Sequence, residues 1–255
     1  MLRRCLFVLL LLFASPGFAG EPPLILPTSK DLPDSMSGSA RNAHAFREKE
    51  AVVKKLFADA GVDFPPRQLL LRGFKAERHL EVWAATAATG PLTHVATYEI
   101  CYASGTAGPK RRQGDSQVPE GFYHLDYFNQ RSNFHLSFRV NYPNESDKIL
   151  GHKANLGGDI MIHGNCVSIG CLAMSDERIE ELWVMAKSMH SLKRRVVVHL
   201  FPTRDLAGLI EEEPESRHLE FWKNIKEGLE LFEEKKTLPR IRVDRRGIYQ
   251  FTPGK

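Results

Sequence analysis

Residues 159 to 175 read DIMIHGNCVSIGCLAMS, and their centre, HGNCVSIGC, places one histidine and two cysteines within nine residues, beside two glycines. Three chemistries use such a cluster. As a metal site, His163, Cys166 and Cys171 would supply an imidazole and two thiolates. Structural zinc takes four ligands at recognisable spacing, and no second ligand pair stands nearby unless the fold recruits His152 or His199. The spacing therefore favours no metal. As a structural group, Cys166 and Cys171 would be small buried residues or a local disulfide, with His163 a satisfied histidine at a strand end. As a catalytic group, a cysteine would attack an acyl carbon as thiolate after giving its proton to His163, whose imidazole titrates near neutrality.

Two features favour the catalytic reading, with Cys171 as nucleophile. Gly164 and Gly170 flank the histidine and the second cysteine, so the backbone can turn tightly and present side chains and amides to one cleft. Cys171 also precedes a predicted helix start, whose amide-rich end favours a thiolate, although at four residues' remove the effect is small. The backbone amides of Gly170 and Cys171 are the natural oxyanion donors. Ser168 either orients His163, contacts substrate, or is a surface serine.

The compartment decides how the cysteines behave. The opening MLRRCLFVLLLLFASPGFAG has two arginines, a short apolar run, and small residues near Ala19, the layout of a secretory signal peptide over residues 1–19. No cysteine stands at the expected cleavage point and no second long apolar segment follows, so the mature protein is expected to be exported, soluble and without a membrane span. Loss of Arg3 and Arg4 lowers the net charge from +4 to about +2, and no basic stripe suited to a phosphate backbone remains, which argues against nucleic acid. The exported part keeps Cys101, Cys166 and Cys171. An odd number in an oxidising compartment implies a free thiol or an intermolecular bond, and the other two can pair.

The elements that must position the cluster read as follows. Residues 20–39 carry four prolines and four serines without periodicity and form a flexible lead. In the helical segment 40–66, Phe46, Val53, Leu56, Phe57 and Ala60 recur at helical spacing between Ala43 and Ala60. Residues 67–202 hold β-rich runs, first QLLLRGF, HLEVWAATA and LTHVATYEIC as consecutive antiparallel strands, then FYHLDYF, FHLSFRVNY and DIMIHG after a long polar loop. Ser175 caps a helix that runs to about His190, and RRVVVHLF follows as a strand. The remainder, 203–255, is a C-terminal helical extension whose long helix, about 215 to 235, shows the stripe Leu219, Trp222, Ile225, Leu229 and Phe232. The fold class is thus mainly β with α.

His163-Gly164 and Ser168-Ile169-Gly170-Cys171 together resemble the signature of the L,D-transpeptidase (YkuD-type) family, in which an upstream HG histidine serves a cysteine in S-x-G-C. The runs YEICYASGTAGPKRRQGDSQVPEGFY and HLEFWKNIKEGLELFEE resemble its YafK-like branch. The resemblance implies a small β-sandwich catalytic domain with a helix beside the active site, working without a cofactor on peptidoglycan stem peptides in the periplasm. It implies that Cys171 forms a thioester at the L-centre of the position-three diamino acid, then passes it to an amine or to water. The amine would make a cross-link or anchor a wall-attached lipoprotein. Many family members place a histidine directly before Gly-Cys and an Arg or Asn two places after the cysteine, where this chain has Ile169 and Ala173, and the eight-position His–Cys interval is short. Those departures fall on the acceptor side and make a peptidoglycan amidase or hydrolase the alternative to a transferase. A zinc hydrolase and an inert wall-binding module are the remaining classes. Tyr142, His152 and Arg112, with Lys110, Arg111 and Asp115 nearby, are expected to line the cleft, and Cys101 and Cys166 to pair, leaving Cys171 free.

Overall fold

A computed structural model describes residues 36–254; the expected signal peptide and most of the expected lead lie outside them. In chain order the elements are α1 (Gly38–Asp59), β1 (Gln68–Phe74), β2 (His79–Ala85), β3 (Thr93–Glu99), β4 (Tyr102–Ala103), β5 (Gly121–Ser132), β6 (His135–Val140), α2 (Glu145–Leu150), β7 (Met161–His163), β8 (Leu172–Ala173), α3 (Asp176–Ser191), β9 (Val196–Phe201), α4 (Leu206–Glu212), α5 (Leu219–Lys235), β10 (Arg240–Val243) and β11 (Tyr249–Thr252). Helix α1 begins five residues before the expected start at Ala43. The Ser37 hydroxyl caps it by accepting from Ala40 N, and Arg41 donates to the carbonyls of Ser132 and His135 at 2.6 and 2.9 Å. Long-range bonds therefore hold a first turn that periodicity does not announce.

Nine strands form one sheet in the order β3-β2-β1-β9-β5-β6-β7-β8-β4. The first three make the expected antiparallel meander. Strand β5 pairs with β9 through its first residues and with β6 through its last. Irregular register between Leu125 and Tyr127 and between Asn129 and Ser132 marks where the strand bends. The expected sandwich is thus a single curled sheet that shares β5 between its halves.

Strand β1 shows why the run QLLLRGF is apolar without alternation. Leu69 and Leu71 enter the main core with Leu182, Trp183 and Ala186 of α3 and Phe57 of α1. On the opposite face Leu70 meets Phe232 of α5, and Phe74 joins Trp222 and Ile225. Both faces are covered, as continuous apolar strands require. Trp183 is fully buried and donates to Asn42 of α1 at 2.9 Å, so Trp183→Ala would cost about 3–5 kcal/mol. The extension is helical only to Lys235, which α5 follows with a left-handed cap at Lys236. It ends in the β10–β11 hairpin, whose Tyr249 packs into the α5 cluster. No helix among the described residues is long and apolar enough to cross a membrane.

Candidate active site

Strand β7 ends at His163 between β6 and β8, with Ser137 and Ala173 as its register partners. The β7–β8 pairing is parallel, Ile162 opposite Leu172, which places Cys171 beside Met161 one step earlier. Met161 N donates to the Cys171 sulfur at 3.3 Å, consistent with that register. His163 is the last residue of β7 and Cys171 immediately precedes β8, so both belong to the same parallel strand pair. The short interval in sequence thus closes a parallel pair of very short strands.

His163 is buried, its ring 4.7 Å from that of Phe134. Its Nδ1 lies 2.6 Å from the Gly164 carbonyl oxygen. A carbonyl only accepts, so Nδ1 carries the proton and Nε2 is the basic nitrogen. Burial lowers the His163 pKa, partly offset by the Gly164 bond and Asp176. Burial raises that of Cys171, partly offset by the Met161 amide and Lys110. Near pH 7 the pair rests as neutral thiol and neutral imidazole.

The turn before Cys171 is closed by Ser168. Its hydroxyl accepts from Cys171 N at 2.7 Å and lies 2.8 Å from Cys171 O. Gly170 stands at φ +118°, a conformation that side chains rarely adopt. Ser168 thus braces the backbone of Cys171, and the Cys171 amide, expected as an oxyanion donor, is engaged by the Ser168 hydroxyl. Gly164 is required by close approach, since a Cβ there would stand 2.6 Å from Asp176 Oδ1 and 3.0 Å from Ile179. Asp176 also accepts from Asn165 N at 2.8 Å, fastening the HGN turn to the start of α3.

Cys101 and Cys166 are bonded, with Cα atoms 5.5 Å apart, and join the start of the β4 edge to the catalytic turn. Cys171 is the free cysteine among the described residues. No group of three or more His, Cys, Asp or Glu residues is arranged there to hold a metal ion. His199, named above as a recruitable ligand, is buried against the Phe122 ring.

Two cavities hold the residues expected to line the cleft. One, about 530 Å³, is lined by Tyr142, Arg139 and Asp159. The Asp159 carbonyl lies 3.7 Å from the Cys171 sulfur. Tyr142 is mostly buried, and its hydroxyl donates to Leu156 O at 3.0 Å, so it supports the cavity wall as well as lining it. The other cavity, about 940 Å³, holds Arg112 and His152. The three expected cleft residues are therefore divided between two cavities. Asp159, Met161 and Asp176 escaped the sequence reading. An acidic residue directly after the Ser175 cap was the available signal for Asp176; the other two act through backbone atoms, which sequence does not mark.

Against known families, residues 65–198 match the YkuD model, the L,D-transpeptidase catalytic domain. YafK of Escherichia coli K12, provisionally named an L,D-transpeptidase, is 32% identical over 173 residues, covering 67% of this chain and 68% of that one. Among solved structures, the helical cell shape determining protein Pgp2 of Campylobacter jejuni aligns with TM-score 0.43 at 18% identity, covering 69% of this chain and 73% of that one. A point mutant of Pgp2 aligns with TM-score 0.44 at 20% identity, over 64% of this chain and only 57% of its own length. The chain belongs to the L,D-transpeptidase family, and carries the catalytic domain that defines this class of enzyme.

Proposed function

We propose that the protein is an exported cysteine acyltransferase of peptidoglycan, with Cys171 as nucleophile and His163 as base. The reading is supported by the parallel β7–β8 pair, in which the free Cys171 sulfur accepts from Met161 N of β7, the strand that ends at His163, whose Nδ1 is held by Gly164. The Cys171 proton passes to His163 Nε2 as sulfur attacks the carbonyl of the position-three diamino acid. The C–N bond beyond that carbonyl breaks, the departing amine takes the proton from His163, and a thioester remains. An incoming amine, whose proton goes to the imidazole and then to sulfur, forms a new amide and frees the thiol. Export is supported by the leader MLRRCLFVLLLLFASPGFAG and by the Cys101–Cys166 disulfide, a bond that persists in oxidising compartments.

Hydrolysis of the same thioester is the second reading, and two residues favour it. Ile169 projects into solvent, 89% exposed, and Ala173 is buried as register partner of His163. Neither offers a hydrogen bond to an acceptor amine, whereas water needs less orientation. Incubation of the mature protein with disaccharide tetrapeptide, and separately with cross-linked or protein-linked peptidoglycan, distinguishes them by product mass. New dimers mean transfer, released stems mean hydrolysis, and activity lost to a chelator would overturn both in favour of a metal enzyme. Unchanged peptidoglycan that is nonetheless bound would leave a wall-binding module.

A further inference from the structure

We propose that the larger cavity, between the 104–118 loop and the C-terminal extension, binds a carboxylate-bearing segment of the peptide substrate through Arg112 and Arg217. This rests on the proposed activity and adds to it a subsite built partly by the extension. At about 940 Å³ the cleft is at the upper end for a ligand site. Its wall touches the turn before Cys171, because Gln117 lines it and the Gln117 carbonyl stands 3.6 Å from where a Cβ on Gly170 would be.

Most charges around the cleft are already satisfied. Asp115 accepts from Lys110 Nζ at 2.7 Å and from the amides of Arg111 and Arg112. Arg111 pairs with Asp147 at 2.9 Å and lies over Phe221. Glu220 pairs with Lys223 at 2.8 Å. Arg112 and Arg217 make no ion pair among the described residues, and Arg217 donates only to His218 Nε2, which must be unprotonated to accept. Two uncompensated guanidinium forks facing one cavity suit a planar carboxylate.

The walls are also fixed to each other. Buried Glu120 accepts from Lys75 at 2.8 Å, from Gly108 N at 2.8 Å and from Trp222 of α5 at 3.0 Å. Lys75 additionally donates to the carbonyls of Gly108 and Val118. One carboxylate therefore ties both ends of the loop to the extension, so Arg112 and Arg217 face the cleft from a prearranged frame.

The test uses the full mature chain with Arg112→Ala, Arg217→Ala and both together. In the Cys171→Ala background, titration calorimetry with disaccharide tetrapeptide should show Kd rising about tenfold for each variant and further for the pair. The same peptide with its carboxylates amidated should bind the parent as weakly as the acid form binds the double variant. In the wild-type background KM should rise while kcat and the rate of Cys171 alkylation by iodoacetamide stay within about twofold. Unchanged Kd in the double variant, or tight binding of the amidated peptide, overturns the subsite. If turnover proceeds with KM unaffected, the subsite fails and the activity stands; if acid peptide binds through both arginines yet is never acylated to Cys171, the activity fails and the subsite stands.

Discussion

The two loops that flank Cys171 are held by opposite means. Residues 164–171 are fixed by neutral and backbone devices: the Ser168 hydroxyl on both polar backbone atoms of Cys171, the positive φ of Gly170, and the Cys101–Cys166 bond. Residues 104–120 are fixed by ions, namely Lys75–Glu120, Lys110–Asp115 and Arg111–Asp147, each with at least one strongly buried member. The difference separates structure from chemistry. Charges that hold the frame are paired, while at the thiol and imidazole burial outweighs the nearby Lys110 and Asp176 charges and keeps both groups uncharged. A preformed thiolate–imidazolium would need a desolvated ion pair with further hydrogen bonds to sustain it. On the proposed mechanism the proton would move when substrate arrives.

Substitutions in the two loops should therefore fail differently. Cys171→Ala should abolish acyl transfer and hydrolysis, a loss of about 10⁴-fold or more, with the melting temperature nearly unchanged; product mass and calorimetry read both. His163→Gln should slow single-turnover acylation by about 10²–10⁴-fold, and a loss below tenfold would remove the imidazole from the mechanism. Lys75→Met should behave in the reverse sense. It strands the buried Glu120 carboxylate and should cost about 3–5 kcal/mol in urea unfolding, part of which the added change Glu120→Gln should return.

Two pH profiles sharpen the contrast. Because burial holds the Cys171 thiol above its ordinary value, iodoacetamide alkylation should be slow at pH 7 and climb about tenfold per unit above it. A rate plateau below pH 6 would instead reveal a resting ion pair. His199 probes the frame: burial, with Arg72 adding to it, depresses its pKa from 6.5 to about 3. Its unfolded form takes up protons first, so its contribution to stability is present above pH 6.5 and is lost as pH falls toward 3. His199→Leu should flatten the urea midpoint over that range.

Much of this arrangement was legible in the chain. Strands β1, β2 and β3 follow from apolar, β-branched runs punctuated by turn residues, and α3 from Ser175 and its stripe. The placement of His163 and Cys171 at adjacent strand ends was legible from the apolar run DIMIHG and the glycines that bound the turn. The β10–β11 hairpin was missed because RIRV and YQFT are short and half polar, with edges that packing on α5 makes stable. The curl at β5 depends on a register slip, which composition does not encode. Lys75 reads as an ordinary surface lysine until Glu120, 45 residues away, is folded onto it.

Peptide mapping of acid-quenched enzyme after brief exposure to disaccharide tetrapeptide tests the central claim most directly. The account predicts a mass increase equal to the acyl fragment on the peptide containing Cys171 and on no other. Product accumulating at the wild-type rate with that peptide never modified would contradict it.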